Sequence, residues 1–470
     1  MSFLAKKSAK STPITPVDKD TLDAWLKKQD APTQAWVKSS GFKASDGAML
    51  LVPDAKGNLS RVLWGAGKDD SLYTYADLPG KLPKNDAGYY IDKKMNKDRA
   101  TQVALGWAMG SYQFNQYRSS GKKDFVPLVW PDNADRKAVT ATTEATFMVR
   151  DLVNMPANDM GPAEIAEAGK KLAKAFNKKA SVRVIVGKDL LKQNYPAIYE
   201  VGKGSPREPR LVDIRWGNPK HPLVTLVGKG VAFDTGGLDI KPSAGMLLMK
   251  KDMGGAAHVM GLAHMIMTAN LPVRLRVLIP AVENSTDGNS YRPGDIIKTR
   301  KGLSVEIGNT DAEGRIILCD ALAEACKEKP DLLIDFATLT GAARVALGPD
   351  LPAMFSNDDK VADALLASAR KVEDPLWRLP LWEPYHEMLA TKNADINNAG
   401  SGGYAGAITA ALFLEKFVDK DVPWVHIDTF AWNPSGKPGK PLGGEALGMR
   451  ASYDLIQSKF GKSKAGKPKP

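Results

Sequence analysis

Two stretches decide the fold: residues 223–234 read LVTLVGKGVAFD, and residues 305–315 read VEIGNTDAEGR. In each stretch a short apolar run, rich in β-branched residues, stops at a glycine and gives way to charged residues. Such runs, alternating with helical stretches, predict the buried strands of an α/β sheet with helices on its faces. Sites in open α/β sheets lie at the carboxyl ends of strands. The charged residues after each run are therefore the first candidates for function.

The same alternation continues through the last two thirds of the chain. Apolar runs predict further strands at residues 181–187, 211–216, 275–281, 332–338 and 424–428. Helical patterns are centred on residues 162–176, 256–267, 315–327 and 408–417. Before them, the pattern predicts short strands at residues 61–65 and 88–91, and helices at residues 99–117 and 142–155.

We therefore predict an α/β protein with a smaller N-terminal α/β domain at residues 1–145. A larger C-terminal domain at residues 146–455 follows, and its mixed, mostly parallel sheet is flanked by helices. Residues 456–470 have the composition of a basic tail. A chain of 470 residues is too long for one ordinary domain, which agrees with this division.

Composition indicates an ordinary soluble globular protein, with 43% apolar and 25% charged residues. The two cysteines, Cys319 and Cys326, exclude a disulfide framework and predict buried free thiols in a reducing compartment. The N-terminus lacks the apolar core of a secretory signal. The best membrane candidate, residues 254–273, includes two histidines and Asn270, which favours a buried helix. We expect a cytoplasmic protein that does not enter a membrane.

The net charge of +12 is unevenly placed. Lysines gather near the N-terminus, at Lys6, Lys7 and Lys10, and in the basic tail. Lysine-rich ends of low complexity are typically solvated. They leave binding to nucleic acid as a weaker alternative function.

A metal site in this chain must be built mainly from carboxylates, because there are only five histidines and none forms a close zinc-protease pair. Asp311, Glu313 and Arg315 follow one another at a spacing of two, so in an extended segment their side chains would share one face. Neighbouring carboxylates repel unless a cation separates them. The alternative is a helix N-terminus decorated with acids, which the helix macrodipole favours.

A second cluster of charged residues lies among glycines. It comprises Lys229, Asp234, Lys241 and Asp252. Glycines permit unusual backbone angles and a close approach to a ligand. Loops with ordinary surface charges are the alternative, and they explain the glycines poorly. By contrast, His426 and Asp428 alternate on an apolar strand, where buried polar groups with protein partners are expected.

The segment Asn309-Thr-Asp-Ala-Glu-Gly-Arg315 resembles the signature of the leucyl (cytosol) aminopeptidase family, whose members are two-metal aminopeptidases. The segment that contains the second cluster resembles the metal-binding segment of the same family. Shorter matches follow in the expected order over about residues 150–450: NMPAN at 154–158, EN at 283–284, YRPGD at 291–295, ATLTG at 337–341 and ADI at 394–396. A signature of seven residues, together with several shorter matches in the expected order, is highly specific for the family. The first 150 residues show no comparable motif.

The resemblance implies a catalytic C-terminal domain that hydrolyses the N-terminal residue, leucine or another apolar residue, from peptides. It implies two divalent metal ions per subunit, zinc or manganese, and a metal-activated water. The implied metal ligands are Lys229, Asp234, Asp252, Asp311 and Glu313. Asp234 and Glu313 would bridge the two ions. Asp311 would complete one ion site, and Lys229 and Asp252 the other.

Lys241 and Arg315 are the catalytic residues that the resemblance implies. Lys241 would stabilise the oxyanion, and Arg315 would hold a bicarbonate ion. Met249 would line the pocket for the first side chain, and the region of Leu339 would orient the scissile peptide. The resemblance also implies a homohexamer. Two other hypotheses remain: a nucleic-acid-binding protein on the same scaffold, and a catalytically inactive scaffold.

Overall fold

The computed structural model describes residues 3–68, 71–176 and 179–461, and the chain divides into two compact units. The first unit comprises Met1–Phe147 with Ser435–Leu442. The second unit comprises Met148–Pro434 with Gly443–Pro470. The change of unit at residue 147 falls inside one helix, Arg136–Asn154.

The first unit contains one sheet with helices packed against it. Its strands are β1 (Leu4–Ala5), β2 (Thr12–Val17), β3 (Met49–Pro53), β4 (Leu59–Gly65), β5 (Tyr89–Ile91) and β6 (Leu128–Val129). Its helices are α1 (Leu22–Leu26), α2 (Ala31–Ser39), α3 (Lys97–Gly110) and the start of α4 (Arg136–Asn154). The order of the described strands is β1-β6-β5-β2-β4-β3, and every pair is parallel except β3–β4. Ile14, Tyr89 and Trp107 are fully buried in its core.

Helix α3 is shorter than the sequence pattern predicts, because it ends at Gly110 rather than near residue 117. Ser111 Oγ donates a hydrogen bond to Trp107 O at 2.9 Å and closes the last turn. A Cβ atom on Gly110 would lie 1.7 Å from Ala76 O, so only glycine allows the helix to end this close to that backbone.

The second unit contains the larger sheet and most of the helices. Its strands are β7 (Ala180–Val186), β8 (Arg210–Trp216), β9 (Leu223–Gly228), β10 (Gly230–Asp234), β11 (Arg274–Asn284), β12 (Ile296–Lys298), β13 (Ser304–Glu306), β14 (Leu332–Ala337), β15 (Ala353–Ser356), β16 (Trp377–Arg378), β17 (Ile396–Asn397), β18 (Trp424–Asp428), β19 (Trp432–Asn433) and β20 (Gly443–Gly444). Its further helices are α5 (Pro162–Ala175), α6 (Asp189–Lys192), α7 (Pro196–Gly202), α8 (Ser243–Met246), α9 (Gly254–Thr268), α10 (Glu313–Cys326), α11 (Gly341–Leu347), α12 (Asp359–Lys371), α13 (Gly406–Glu415) and α14 (Met449–Phe460).

Among the described residues, nine of these strands form one sheet in the order β16-β15-β18-β14-β9-β11-β8-β7, with β10 paired to β11. The central strands β11, β9, β14 and β18 run parallel, whereas β8 and β7 continue the sheet antiparallel. Strands β9 and β14 are buried along their whole length, as expected for strands covered on both faces. The predicted mixed, mostly parallel sheet flanked by helices is confirmed.

Two smaller expectations also have a clear outcome. Cys319 and Cys326 are buried free thiols, as predicted. The membrane candidate is helix α9, most of whose residues are buried in the unit. Across the described parts of the chain, every helix is too short or too polar to span a bilayer.

The basic tail starts later than residue 456. Helix α14 continues to Phe460, and Leu455 and Ile456 are buried in it. Ile456 is therefore packed in the unit, and residues 457–459 continue the helix with exposed side chains. The rest of the predicted tail, residues 462–470, lies outside the described residues.

Candidate active site

The charged residues singled out in the sequence lie at one edge of the larger sheet. Lys229 follows the end of β9, and Thr338 follows the end of the neighbouring parallel strand β14. Asp234 is the last residue of β10, which the sequence pattern did not predict as a strand. Parallel strands present their carboxyl ends at the same edge, so these residues share one crevice.

The signature segment is not extended, and the predicted shared face of Asp311, Glu313 and Arg315 is wrong. Residues Thr310–Ala312 form a 3₁₀ turn, and α10 begins at Glu313. The Asn309 side chain accepts a hydrogen bond from Asp311 N–H at 2.7 Å, which fixes the start of the turn. The helix N-terminus that we held as the alternative is thus the local structure, and it still directs Asp311 and Glu313 into the crevice.

Three polar residues position Asp234 and the signature segment through hydrogen bonds. Asn284 donates a hydrogen bond to Asp234 Oδ1 at 2.8 Å, and Asp239 accepts one from Thr310 N–H at 2.7 Å. Asn398 Oδ1 accepts from Gly308 N–H, while its amide donates to the Asn309 carbonyl at 2.8 Å. Asn284 belongs to a motif that the sequence resemblance includes. Asp239 and Asn398 were not predicted as positioning residues, because their partners are backbone groups distant in sequence.

A cavity of about 760 Å³ opens over these residues, within the usual size range of small-molecule sites. Its walls include six of the predicted site residues with charged side chains: Lys229, Asp234, Lys241, Asp252, Asp311 and Arg315. Glu313, which is 1% exposed, lies directly behind Lys229. Carboxylate oxygens of Asp234, Asp252 and Glu313 lie within 4.8 Å of one another.

Two lysines form ion pairs with these carboxylates. Lys229 Nζ lies 2.8 Å from Asp252 Oδ2 and 2.8 Å from Glu313 Oε1. Lys241 Nζ lies 2.8 Å from Asp234 Oδ2 and also pairs with Asp311. Each ammonium group therefore balances two acids.

Burial and the neighbouring charges together set the ionisation of these groups. Burial favours neutral Lys229, but the carboxylates of Asp252, Glu313 and Asp234 outweigh burial and raise the pKa of the Lys229 ammonium group. For Glu313, burial and the nearby Asp234 charge together raise the carboxyl pKa well above its ordinary value. Burial also raises the pKa of Asp311. Acids crowded in this way are stabilised as anions by added positive charge.

The donor set fits divalent metal ions. Both carboxylate oxygens of Glu313, together with Asp252 Oδ2 and Asp311 Oδ1, are buried without a hydrogen-bond partner among the described residues. Their lysine contacts have ion-pair distances but not hydrogen-bond geometry. Buried carboxylate oxygens in this condition are costly unless paired or bound to a metal, and carboxylates suit hard or borderline cations.

Arg315 lies in the first turn of α10 and lines the same cavity. Its Nη1 donates a hydrogen bond to Asn398 O at 2.6 Å, whereas its buried Nε has no partner among the described residues. Burial lowers the pKa of the Arg315 guanidinium to about 10, so it stays charged at neutral pH. It is therefore a donor for an anion and not a base.

Met249 and Leu339, the predicted substrate contacts, also line the cavity. Met249 begins a 3₁₀ turn that ends at Met253 and contains Asp252. The Leu339 N–H donates to Asp428 Oδ1 at 3.0 Å, so its carbonyl is the backbone group left to bind a ligand. Asp428 has protein partners, as expected, and His426 has one for Nδ1, which lies 2.6 Å from Asp335 Oδ1, whereas its buried Nε2 has none among the described residues.

Among the cavity residues that were not predicted, Lys251, Arg344 and Phe430 lie together. Lys251 is 5% exposed, and burial lowers its pKa to about 8. Lys251 Nζ and Arg344 Cζ lie 4.9 and 5.0 Å from the centroid of the Phe430 ring. The sequence offered one indication of this group, because Lys251 directly precedes the predicted ligand Asp252.

Comparison with known protein families gives this geometry its context. Residues 147–452 match the catalytic domain of the cytosol aminopeptidase family, and residues 12–131 match the N-terminal domain of the M17 aminopeptidases. The chain belongs to the cytosol aminopeptidase family. The N-terminal match shows that the first 150 residues carry a family pattern too, although one without a short motif.

Individual relatives agree with this membership. A probable cytosol aminopeptidase of Roseiflexus castenholzii is 42% identical over 375 residues, which cover 76% of each chain. The crystal structure of cytosol aminopeptidase from Coxiella burnetii has a TM-score of 0.94 and 49% identity, covering 98% of this chain and all of that one. The bottromycin maturation enzyme BotP in complex with Mn has a TM-score of 0.84 and 31% identity, covering 96% of this chain. A member of the cytosol aminopeptidase family is a hydrolase and a metal-dependent peptidase.

Proposed function

We propose that the chain is a two-metal aminopeptidase, which removes the first residue from peptides that have a free α-amino group. Leucine and other apolar residues are among the first residues it takes, because Met249 lines the cavity. The observation that carries the proposal is the convergence of four acids and one lysine in a single crevice, with buried carboxylate oxygens that lack hydrogen bonds.

The proposed ligands are Lys229, Asp234, Asp252, Asp311 and Glu313. Asp234 and Glu313 are the proposed bridging ligands, because their carboxylate oxygens lie within 4.8 Å of one another and of Asp252, and Asp234 shares Lys241 with Asp311. Two divalent ions in such a site lower the pKa of a bound water and polarise a carbonyl oxygen. Zinc and manganese are both candidates, and the manganese complex of BotP supports manganese.

Lys241 and Arg315 supply the remaining charges of the reaction. Asp234 and Asp311, which pair with Lys241, would instead hold a metal ion, and the Lys241 ammonium group would then stabilise the substrate oxyanion. Arg315 would hold a bicarbonate ion through its unpartnered Nε, and the bicarbonate would transfer the proton that Arg315 cannot.

Asp252 is the proposed acceptor for the α-amino group of the substrate. An amine with a pKa of about 7.7–8.0 readily loses one proton and can then bind a cation as well. Acetylation removes the lone pair and adds bulk beside Asp252, which is 2% exposed. The carboxylate would then remain buried without its substrate partner.

The experiment compares leucyl peptides with their N-acetyl forms, after chelation and re-addition of zinc or manganese. We expect cleavage of the free peptides and a kcat/KM lower by roughly 10⁴ for the acetylated ones. Comparable values for the two forms would contradict an aminopeptidase and indicate an endopeptidase or amidase.

Assembly and location are part of the same proposal. The resemblance to the family implies a homohexamer, and the relatives named cytosol aminopeptidase support a location in the cytoplasm. Light scattering of the purified chain measures the first point, and a monomer at micromolar concentration would refute it.

A further inference from the structure

The cavity wall beside Asp252 carries two basic side chains, Lys251 and Arg344, besides the charged residues of the proposed metal site. Lys251 Nζ and Arg344 Cζ both lie against the ring of Phe430. Neither side chain comes within ion-pair distance of an acid among the described residues, although both line the cavity. All the other lysine and arginine side chains of the cavity, namely Lys229, Lys241 and Arg315, have an acid or a carbonyl partner.

Leaving Lys251 unpaired in its buried position is unfavourable for the protein alone, whereas Arg344 is exposed. Lys251 is 5% exposed, and a charged lysine is rarely buried this far without a partner. Arg344 adds a like charge to the same wall. The aromatic face of Phe430 compensates only in part, because a cation–π contact is weaker than an ion pair in a dry site. An anion bound between the cations would remove the imbalance.

The chain's own acids near this wall are already engaged. Asp252 pairs with Lys229 and accepts a hydrogen bond from Thr338 Oγ1 at 2.7 Å. Asp428 accepts from the N–H groups of Leu339 and Thr340, and from Thr340 Oγ1 at 2.6 Å. A carboxylate that pairs with Lys251 would therefore have to come from a bound molecule.

The position of the wall indicates which part of a peptide it meets. Lys251 directly precedes Asp252, the proposed acceptor for the α-amino group, and Met249 lines the same cavity two residues earlier. A side chain that leaves the first α-carbon next to Asp252 has Met249, Phe430 and the two cations as its neighbours. The pocket for the first residue therefore combines apolar and positively charged surfaces.

We propose that Lys251 and Arg344 bind the side-chain carboxylate of an acidic first residue, so that the enzyme removes N-terminal glutamate and aspartate besides apolar residues. The inference rests on the proposed aminopeptidase function. Met249 and Phe430 would contact the methylene groups, and the Arg344 guanidinium would bind both carboxylate oxygens.

The sharpest comparison is between glutamyl and glutaminyl peptides of otherwise identical sequence, because the two side chains have the same shape and differ in charge. Hydrogen bonds to charged groups are stronger than neutral ones, so we expect kcat/KM to favour glutamate by about tenfold or more. A leucyl peptide measured in parallel reports whether the metal centre works.

The variants Lys251→Met and Arg344→Met remove one cation each and keep the length of the side chain. We expect the glutamyl-to-leucyl ratio of kcat/KM to fall about tenfold in each variant. Arg344 is exposed, so its variant folds even if the buried Lys251 proves necessary for stability. Lys250→Met is the matched control, because Lys250 bonds to Asn154 O and does not line the cavity. Its glutamyl-to-leucyl ratio should equal that of the unmodified enzyme.

The possible outcomes are distinct. Cleavage of leucyl peptides with equal rates for glutamyl and glutaminyl peptides, or an unchanged ratio in Arg344→Met, overturns this inference alone. A preference for Leu-Glu over Leu-Gln peptides, without one at the first position, overturns the assignment to the first side chain. Failure to cleave any free peptide with metal restored overturns the proposed function, and this inference with it.

Discussion

Lys241 and Glu313 lie in the same cluster, yet their substitution should separate metal binding from turnover. Glu313→Ala or Asp234→Ala removes a proposed bridging ligand, so metal content and activity should fall together. Lys241→Ala removes only the proposed oxyanion donor, and we expect normal metal content with kcat lower by about 10²–10³. Metal analysis beside steady-state kinetics measures both quantities.

The control for these variants is Asp363→Ala, which removes an exposed acid on α12 and should alter neither quantity. Loss of metal from Lys241→Ala would mean that the ammonium group is needed to build the cluster. Lys241 would then be a residue of the metal site and not the oxyanion donor.

Single residues were predictable from the sequence only where a motif surrounds them. The signature and the glycine-rich segment contain all five proposed ligands together with Lys241 and Arg315. Lys251, Arg344 and Phe430 come from three separate segments, and each is ordinary in its own context. Their shared position becomes visible only when α11, β18 and the 3₁₀ turn at Met249 are placed together.

The start of helix α10 is packed directly against Lys229. A Cβ atom on Gly314 would lie 2.6 Å from Lys229 Cε and 2.7 Å from its Nζ. Gly314→Ala should therefore push the Lys229 side chain away from Asp252 and Glu313, and weaken metal binding at least tenfold. Titration with manganese measures the Kd.

Gly288→Ala is the matched control for this substitution, because nothing lies within 4 Å of a Cβ atom there. An unchanged Kd in Gly314→Ala would show that Lys229 is not needed as a ligand. The helix start could then tolerate any small residue.

Helix α9 is joined to the loop before α14 by a buried histidine. His258 Nδ1 lies 2.6 Å from Gly254 O, and Nε2 accepts a hydrogen bond from Leu447 N–H at 2.9 Å. The two partners require the neutral ring with its proton on Nδ1. Burial lowers the pKa of His258 to about 4.

This histidine should make the stability of the protein depend on pH. Since its folded pKa lies below the unfolded value of 6.5, its stabilising contribution is complete above pH 6.5 and is lost as the pH falls towards 4. We expect the free energy of unfolding to fall between pH 7 and pH 4 by about 3 kcal/mol more than in His258→Gln. Urea unfolding at several pH values tests this, and parallel curves for the two proteins would contradict it.

At the level of elements, the sequence predicted the central strands and the long helices, because their apolar patterns are strong. Strand β10 was missed because it has only five residues and lies between glycines and charged residues that are typical of loops, and in the sheet it pairs with β11. The 3₁₀ turn before α10 was missed for a related reason. Its geometry depends on Asn398, some ninety residues away, whose bonds to the segment cannot be deduced from local spacing.

The whole molecule should be more stable when its proposed metals are bound, because the unfolded chain does not hold the five ligands together. Zinc or manganese at a hundred times its Kd should add about 2.7 kcal/mol to the free energy of unfolding. Differential scanning calorimetry should show a saturable rise in Tm that a chelator reverses. Glu313→Ala should show little of this rise, and an unresponsive Tm in the unmodified protein would exclude the proposed site.

The arrangement of the chain into two units was only partly accessible from the sequence. The break in pattern near residue 150 indicated a boundary, and the structural division falls within α4. The sequence did not predict that the short segment Ser435–Leu442 belongs to the first unit, because its local residue pattern does not differ from that of an ordinary loop. It depends on contacts between residues at opposite ends of the chain.

The two ion pairs of each active-site lysine have a consequence for how the enzyme is made. Lys229 and Lys241 act as internal counter-ions for the acids around them, so a newly synthesised chain can complete its fold before any metal arrives. Protein production would then be independent of metal supply. We expect cells short of zinc or manganese to accumulate a folded, inactive reserve that metal alone converts to enzyme, without new translation.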